Sequence, residues 1–221
     1  MNKQIVKQFY DFAYKAKLSK DVVDEMAIPS YNHYNPLVRW VFFKRLDKII
    51  KNIDFNNKTV LDFGCGTGIL FEKYVSANKI YACDLHSEVA KETAKALNIT
   101  VEFIGKIDDL PDESIDLAIF ADVLEHIENY AALILKVKSK LNKHGLILVS
   151  IPTESIFYKL CRIIAGYGCK VDYHRANPKD IISFLNKVFK NKEKINFPRL
   201  FAFFRIIEYT KYDVSNKKLN K

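Results

Sequence analysis

Residues 60–68 read Val-Leu-Asp-Phe-Gly-Cys-Gly-Thr-Gly: an apolar run carries one carboxylate, Asp62, and three glycines follow at alternate positions. Glycine admits positive φ and lets a ligand come close to the backbone. Where such a loop opens a helix, the free N–H groups of the first turn face a negative group. Further on, Ile80-Tyr81-Ala82-Cys83-Asp84 closes on a second acid. A carboxylate there can accept hydrogen bonds from both hydroxyls of a ribose. Beyond lie Glu125-His126 and, within Asp172-Tyr173-His174-Arg175, His174. Histidine can exchange a proton near neutral pH without large tuning.

Two ligand classes use such a loop. Dinucleotide enzymes prefer GxGxxG and hold a doubly charged pyrophosphate over the turn. This chain has GxGxG, with Ile69 where the third dinucleotide glycine would fall. Asp62 beside the loop would repel a pyrophosphate. S-adenosylmethionine carries an ammonium, a sulfonium and only one carboxylate, so a neighbouring acid favours it. Loop spacing and Asp62 together select the methyl donor over NAD.

Buried strands and helices alternate around these residues. Strands are expected over 58–63, 79–83, 100–104, 115–121 and 146–151, with helices over 69–76, 87–97 and 131–141. That alternation means βαβ units and a parallel sheet. Another helix is expected over 178–188, and 194–197 and 200–207, flanking Pro198-Arg199, read as an antiparallel pair closing the sheet. Ahead of all this, Ile5, Phe9, Phe12, Ala13 and Ala16 recur at helical spacing. Asn35 is a good N-cap with Pro36 at the first position of a second helix. An aromatic loop, Tyr31-Asn32-His33-Tyr34, lies between the two. The organisation is a helical cap over 1–55, a catalytic domain over 56–213 with an acceptor-cap insertion near 152–177, and a solvated tail over 214–221.

The stretch from Lys58 to Thr153 resembles the core of class I S-adenosylmethionine-dependent methyltransferases, in particular the small bacterial and archaeal type with a D-x-L-E-H-[IVL] segment. VLDFGCGTG resembles the first family motif, IYACD the second, IDLAIFADVLEHI the fourth and LNKHGLILVSIPT the sixth. The resemblance implies an α/β, Rossmann-like seven-stranded mixed sheet of order 3-2-1-4-5-7-6, with strand 7 antiparallel and helices on both faces. It implies that Asp62, Gly64, Cys65, Gly66 and Gly68 surround the methionine end of the donor. Asp84 would hold the ribose, Leu85 and Ile107 would border the adenine, and Ala121 and Asp122 would lie near the methionine end. One departure stands out: relatives often have Gly-Asp-Ala after strand three, where this chain has Gly105-Lys106-Ile107. The acid that would meet the adenine amino group is absent unless Asp108 or Asp109 replaces it.

Displacement at a sulfonium already has an excellent leaving group, so alignment supplies much of the acceleration. A hydroxyl acceptor also needs a base, which an amine does not. Glu125 and His126 follow strand four at the carboxyl edge of the sheet, where such sheets bind ligands. Two roles are open to them. In one, His126 is a base or orienting group and Glu125 its partner; in the other, Glu125 caps the next helix and His126 packs on the glycine loop. His174 is a further base candidate or a surface loop residue, and Tyr31, His33 and Tyr34 form either a lid or ordinary packing. Asp108 and Asp109 read as turn or capping residues, with no metal site expected.

The composition, 49% hydrophobic and 28% charged, is that of an ordinary globular protein. No apolar run is long enough to span a membrane, the N-terminus is too polar for a signal peptide, and the four cysteines lack metal-site spacing. A cytoplasmic location is expected. The net charge of +9 comes largely from scattered lysines, which argues against a nucleic-acid partner without excluding one. The acceptor expected is a small molecule, a sugar or a lipid-linked precursor, methylated at a hydroxyl. The apolar stretch after strand five could also touch a membrane surface. The alternatives are an RNA or DNA methyltransferase and a catalytically silent donor-binding protein. The acceptor's identity and the oligomeric state are not encoded legibly.

Overall fold

The structure is a computed structural model and describes residues 3–153, 175–198 and 203–211. Seven strands form one sheet: β1 (Thr59–Phe63), β2 (Lys79–Cys83), β3 (Glu102–Phe103), β4 (Ile115–Ala121), β5 (Leu141–Pro152), β6 (Lys190–Phe197) and β7 (Phe204–Thr210). Their order is β3-β2-β1-β4-β5-β7-β6, as expected from the sequence. Strands β1 to β5 pair in parallel, and β7 runs antiparallel to both β5 and β6.

Side chains alternate across the sheet, because successive Cβ atoms point to opposite faces. Val60, Leu117, Ile119 and Leu148 join one core with the N-terminal helices. Leu61, Ala118, Phe120, Ile147 and Val149 join the other, beneath α6 (Tyr130–Lys140) and α7 (Pro178–Val188). Both faces are thus covered, as a largely parallel sheet requires. Asn129 caps α6 by accepting from the Ala132 N–H, and Asn177 caps α7 by accepting from the Lys179 N–H, with Pro178 next in line.

Four helices precede the sheet: α1 (Lys3–Lys15), α2 (Lys20–Glu25), α3 (Ile28–Tyr31) and α4 (Pro36–Ile49). Asn35 caps α4 through the Leu37 N–H at 2.9 Å, as its position before Pro36 predicts. After β2, α5 (Glu88–Ala96) packs against α1.

The structure corrects several expected elements. Residues 69–76 do not form an α-helix; the chain makes a 3₁₀ turn at Phe71–Lys73. A 3₁₀ turn repeats every three residues, so Phe71 and Tyr74 share a face and both enter the core. Phe71 meets Tyr74 at 6.4 Å and Phe103 at 6.2 Å between ring centroids. The third strand is only two residues long. The closing pair is displaced from the expected segments, β6 starting at Lys190 and β7 at Phe204. Strand β5 begins at Leu141, with a register shift before Leu146. Nor is 31–34 one loop: Tyr31 ends α3 and is buried, His33 is buried, and Tyr34 faces solvent. Residues 154–174 and 212–221, which contain the expected insertion and tail, lie outside the described residues.

Phe71 fills the space beneath the glycine loop, so Phe71→Ala should leave a cavity there. The expected cost is about 3–5 kcal/mol of stability, read as a lowered urea midpoint at unchanged slope.

Candidate active site

The glycine loop leaves β1 and turns back under β2. The Gly64 N–H donates to the Cys83 carbonyl at 2.7 Å, and the Gly66 N–H to Asp84 Oδ2 at 2.8 Å. All three glycines have positive φ, yet their surroundings differ. A Cβ on Gly64 would lie 2.4 Å from Val123, and one on Gly68 would lie 2.6 Å from the Phe71 ring. Those two positions are glycine for packing. A Cβ on Gly66 would meet nothing within 4 Å and would project into a cavity.

This cavity, about 630 Å³, opens at the carboxyl edge of the parallel strands, where ligands bind in sheets of this kind. Asp62, Gly64, Cys65 and Gly66 form its floor, and Asp84, Leu85 and Ile107 one end. Ala121, Asp122 and His126 form the other side, so the sequence brings nearly all its expected ligand contacts to one place. Gly68 stays behind, against Phe71 and Ala90.

Asp62 is only 2% exposed. The Tyr74 hydroxyl donates to its Oδ2 at 3.3 Å. Burial pushes the carboxyl up to about 7; the Tyr74 hydrogen bond opposes this, and the charge of Asp84 adds to it. Burial likewise raises the neighbouring thiols, Cys83 to about 11, so neither Cys65 nor Cys83 is poised as a thiolate. Asp84 accepts from Gly66 through one oxygen and from the His86 N–H, at 2.9 Å, through the other. Each carboxylate oxygen keeps a second lone pair for a ligand hydroxyl. Leu85 is 96% exposed at the cavity's mouth, an apolar side chain placed to cover a flat ring.

Of the two acids that follow β3, Asp108 reaches the cavity and Asp109 does not. Asp108 lines the cavity and is held by Lys136 at 2.6 Å, which also lowers its pKa. Asp109 is spent inside its own turn, accepting from the Lys106 N–H at 3.2 Å.

The turn Leu124–His126 separates the Glu125–His126 pair. With three residues per turn, consecutive side chains diverge by about 120°. His126 lines the cavity, whereas Glu125 is buried and is not part of its wall. The Glu125 carbonyl instead accepts from the Arg175 and Ala176 N–H groups, at 2.8 and 3.1 Å, ahead of α7. Of the pair, His126 alone lines the cavity. His174 lies outside the described residues. Of the trio 31, 33 and 34, Tyr31 lines the cavity, His33 accepts from the Asn35 N–H through Nδ1, and Tyr34 faces solvent.

Arg45 escapes the sequence pattern, although a cation on the apolar side of α4, between Phe42 and Ile49, is its signal. It is buried, lines the cavity and reaches across the sheet edge. One guanidinium nitrogen bonds Asp122, and the other donates to the Tyr31 hydroxyl at 3.2 Å. Its Nε is buried without a hydrogen-bond partner. The Asp122 carboxylate, expected at the donor, is thus engaged by Arg45 and by the Ser150 hydroxyl.

These features suit S-adenosylmethionine. Asp62 matches the cationic methionine end, Gly66 leaves room, Asp84 has capacity for ribose, and Leu85 offers an apolar cover. Arg45 brings a buried cation, paired with Asp122, to the same wall. Among the described residues no cluster of His, Cys, Asp and Glu could hold a metal ion, and no helix is long and apolar enough to cross a membrane.

Comparison with known proteins agrees with this reading. Two ubiquinone biosynthesis O-methyltransferases are similar to the chain. The Rickettsia felis protein is 29% identical over 135 residues, 56% of this chain and 55% of that one. The mitochondrial protein of Schizosaccharomyces pombe is 30% identical over 119 residues, 49% and 43% respectively. The chain thus matches about half the length of these relatives. Among solved structures, the Synechocystis magnesium protoporphyrin IX methyltransferase with bound S-adenosylhomocysteine covers 87% of this chain and 94% of its own, at TM-score 0.63 and 18% identity. The Bradyrhizobium japonicum N-methyltransferase NodS covers 88% and 98%, at TM-score 0.62 and 14% identity. At those identities the likeness concerns the fold. The family model of the methyltransferase domain matches residues 32–210, most of the chain and every strand of the sheet. The chain therefore belongs to the class I S-adenosylmethionine-dependent methyltransferases.

Proposed function

We propose that the protein methylates a hydroxyl group of a small molecule, with His126 as the proton acceptor. The observation that carries this reading is the place of His126, on the wall of the same cavity as Asp62 and Gly66. The two ubiquinone-pathway relatives, both O-methyltransferases by name, agree with a hydroxyl acceptor.

S-adenosylmethionine supplies an electrophilic methyl on a positively charged sulfur. When it is bound, Asp62 would hold its ammonium, Arg45 its carboxylate, and Asp84 its ribose hydroxyls. Leu85 and Ile107 border the adenine. The acceptor oxygen forms the new bond to the methyl carbon as the carbon–sulfur bond breaks, and sulfur keeps the electron pair. The hydroxyl proton passes to the His126 imidazole. An unperturbed imidazole titrates near neutrality, so it can take that proton and return it to water. Asp122 acts through structure by holding Arg45, and the Glu125 carbonyl fixes the chain ahead of α7.

The acceptor reading is tested by labelled methyl transfer to a panel of small hydroxylated compounds. His126→Ala should lower single-turnover rates by about two to four orders of magnitude while leaving donor affinity nearly unchanged. Collapse of donor affinity would make His126 part of the donor site, and an unchanged rate would remove it from the chemistry.

The donor reading has a pH signature. Without donor, burial keeps Asp62 protonated up to about pH 7, whereas an unfolded chain ionises it near 4. Its contribution to stability is therefore full below about pH 4 and is lost as pH rises through about 7. A cationic ammonium favours the ionised acid, so calorimetric donor affinity should rise with pH through that range. Asp62→Asn should abolish the rise and weaken binding, and should melt higher than wild type at pH 8 but not at pH 4. A flat affinity profile in the wild type would contradict the assignment.

A further inference from the structure

Helix α4 has apolar side chains on two sides. Its inward side carries Leu46 and Ile49, fully packed in the core, and Arg45 on the cavity wall. Its outward side carries Tyr34, just ahead of the helix, then Leu37 and Trp40, exposed by 82%, 63% and 48%. At 100° per residue, Leu37, Trp40, Lys44 and Lys48 fall on one stripe, apolar at its first half and cationic at its second, with Lys51 just beyond the helix end. Trp40 leans one face on the buried Phe197 ring at 6.1 Å, and Tyr34 lies over His33 at 4.5 Å between ring centroids; the remaining faces, with Leu37, are open to water. A cluster of partly exposed large apolar side chains is a cost that monomeric proteins seldom carry without a contact to make.

We propose that this outward stripe of α4 docks the protein on an anionic membrane surface. Tyrosine and tryptophan suit the boundary between headgroups and acyl chains, where the ring is buried and its polar edge stays wet. Leucine adds apolar area beside them. The cations lie where anionic headgroups would meet them: Lys44 and Lys48 along the stripe and Lys51 just past its end. Arg39, whose position is turned toward the inward side, reaches back to the His33 and Tyr34 carbonyls ahead of the helix. Asp47 offsets Lys44 at 3.6 Å, leaving the stripe net positive, in a chain whose overall charge is +9. An apolar wedge flanked by lysines is the composition of an interfacial helix. This charge match selects a bilayer bearing anionic lipid over a neutral one and over a second, equally cationic copy of the chain.

The geometry gives docking a consequence. Leu37 and Arg45 are separated by about 12 Å along the helix axis, at about 1.5 Å per residue. A protein seated on this stripe holds its cavity wall close to the headgroup layer, within reach of a lipid-soluble molecule. The docking rests on the exposure and charge of α4 and stands whether or not the acceptor is a hydroxyl.

Trp40 is the chain's only tryptophan, so its emission reports on the stripe directly. The full chain is titrated with vesicles of equal phosphatidylglycerol and phosphatidylcholine, and with phosphatidylcholine alone. The expected result is a blue shift of Trp40 and co-sedimentation with the anionic vesicles, both reversed by high salt. Leu37→Asp and Lys44→Glu should each lower partitioning about ten-fold or more, with donor affinity and melting temperature retained. Absence of a shift with anionic vesicles overturns the proposal, as does equal partitioning into neutral ones. A blue shift that grows with protein concentration without vesicles would assign the stripe to self-association and also overturn it. None of these outcomes bears on His126, whose role is read by methyl transfer alone.

Discussion

Keeping a carboxylate inside a sheet core, at the end of a buried strand, sets terms that the surrounding structure has to meet. Asp62 shares a face of β1 with Val60, packed among Phe71, Tyr74 and the α1 face. An ionised acid there would be costly, and the protein answers with protonation and one phenolic hydrogen bond. The 3₁₀ turn exists to deliver that bond: it places Tyr74 beneath Asp62 and Phe71 beneath Gly68 in the same stroke. A cation arriving in the cavity turns the liability into an attraction. Stability is held back in the empty protein and recovered on binding.

The second constraint joins the N-terminal helices to the sheet. Arg45 leaves α4, stacks over the Phe42 and Phe204 rings at 5.1 and 4.8 Å, and ends on Asp122. Asp122 holds a positive φ, which is uncommon outside glycine, and is fixed by the Ser150 hydroxyl and backbone carbonyl. Strain of this kind persists where neighbours over-determine it, and such positions gather at functional sites. The helical cap is thereby part of the cavity and no mere appendage. Val22, Met26, Tyr31 and Arg45 would be lost from its wall without it.

Much of this was legible in the sequence, and the failures have physical causes. The parallel strands were readable because buried strands keep near-continuous apolar runs, and β4 falls on the expected residues. The sheet order followed from the resemblance carried by the motifs. The 69–76 segment was misread because apolar residues three apart fit a 3₁₀ turn as well as an α-helix, and only the packing of Phe71 and Tyr74 decides. Asp62, Asp84 and His126 could be singled out because they follow or close strands, and the fold brings all three to one cavity. Two roles stayed open for Glu125 in the sequence because adjacency hides how a 3₁₀ turn parts neighbouring side chains; in the fold, His126 lines the cavity and Glu125 is buried. Arg45 was missed because its partner, Asp122, is brought to it only by tertiary folding.

The central claim is that a buried acid beside an open glycine selects a cationic methyl donor over a pyrophosphate. The direct measurement is calorimetric titration of the purified chain with S-adenosylmethionine, S-adenosylhomocysteine and NAD under identical conditions. The account predicts one site per chain for the donor and its demethylated product, and no detectable heat with NAD. Binding of NAD without binding of the donor would contradict it.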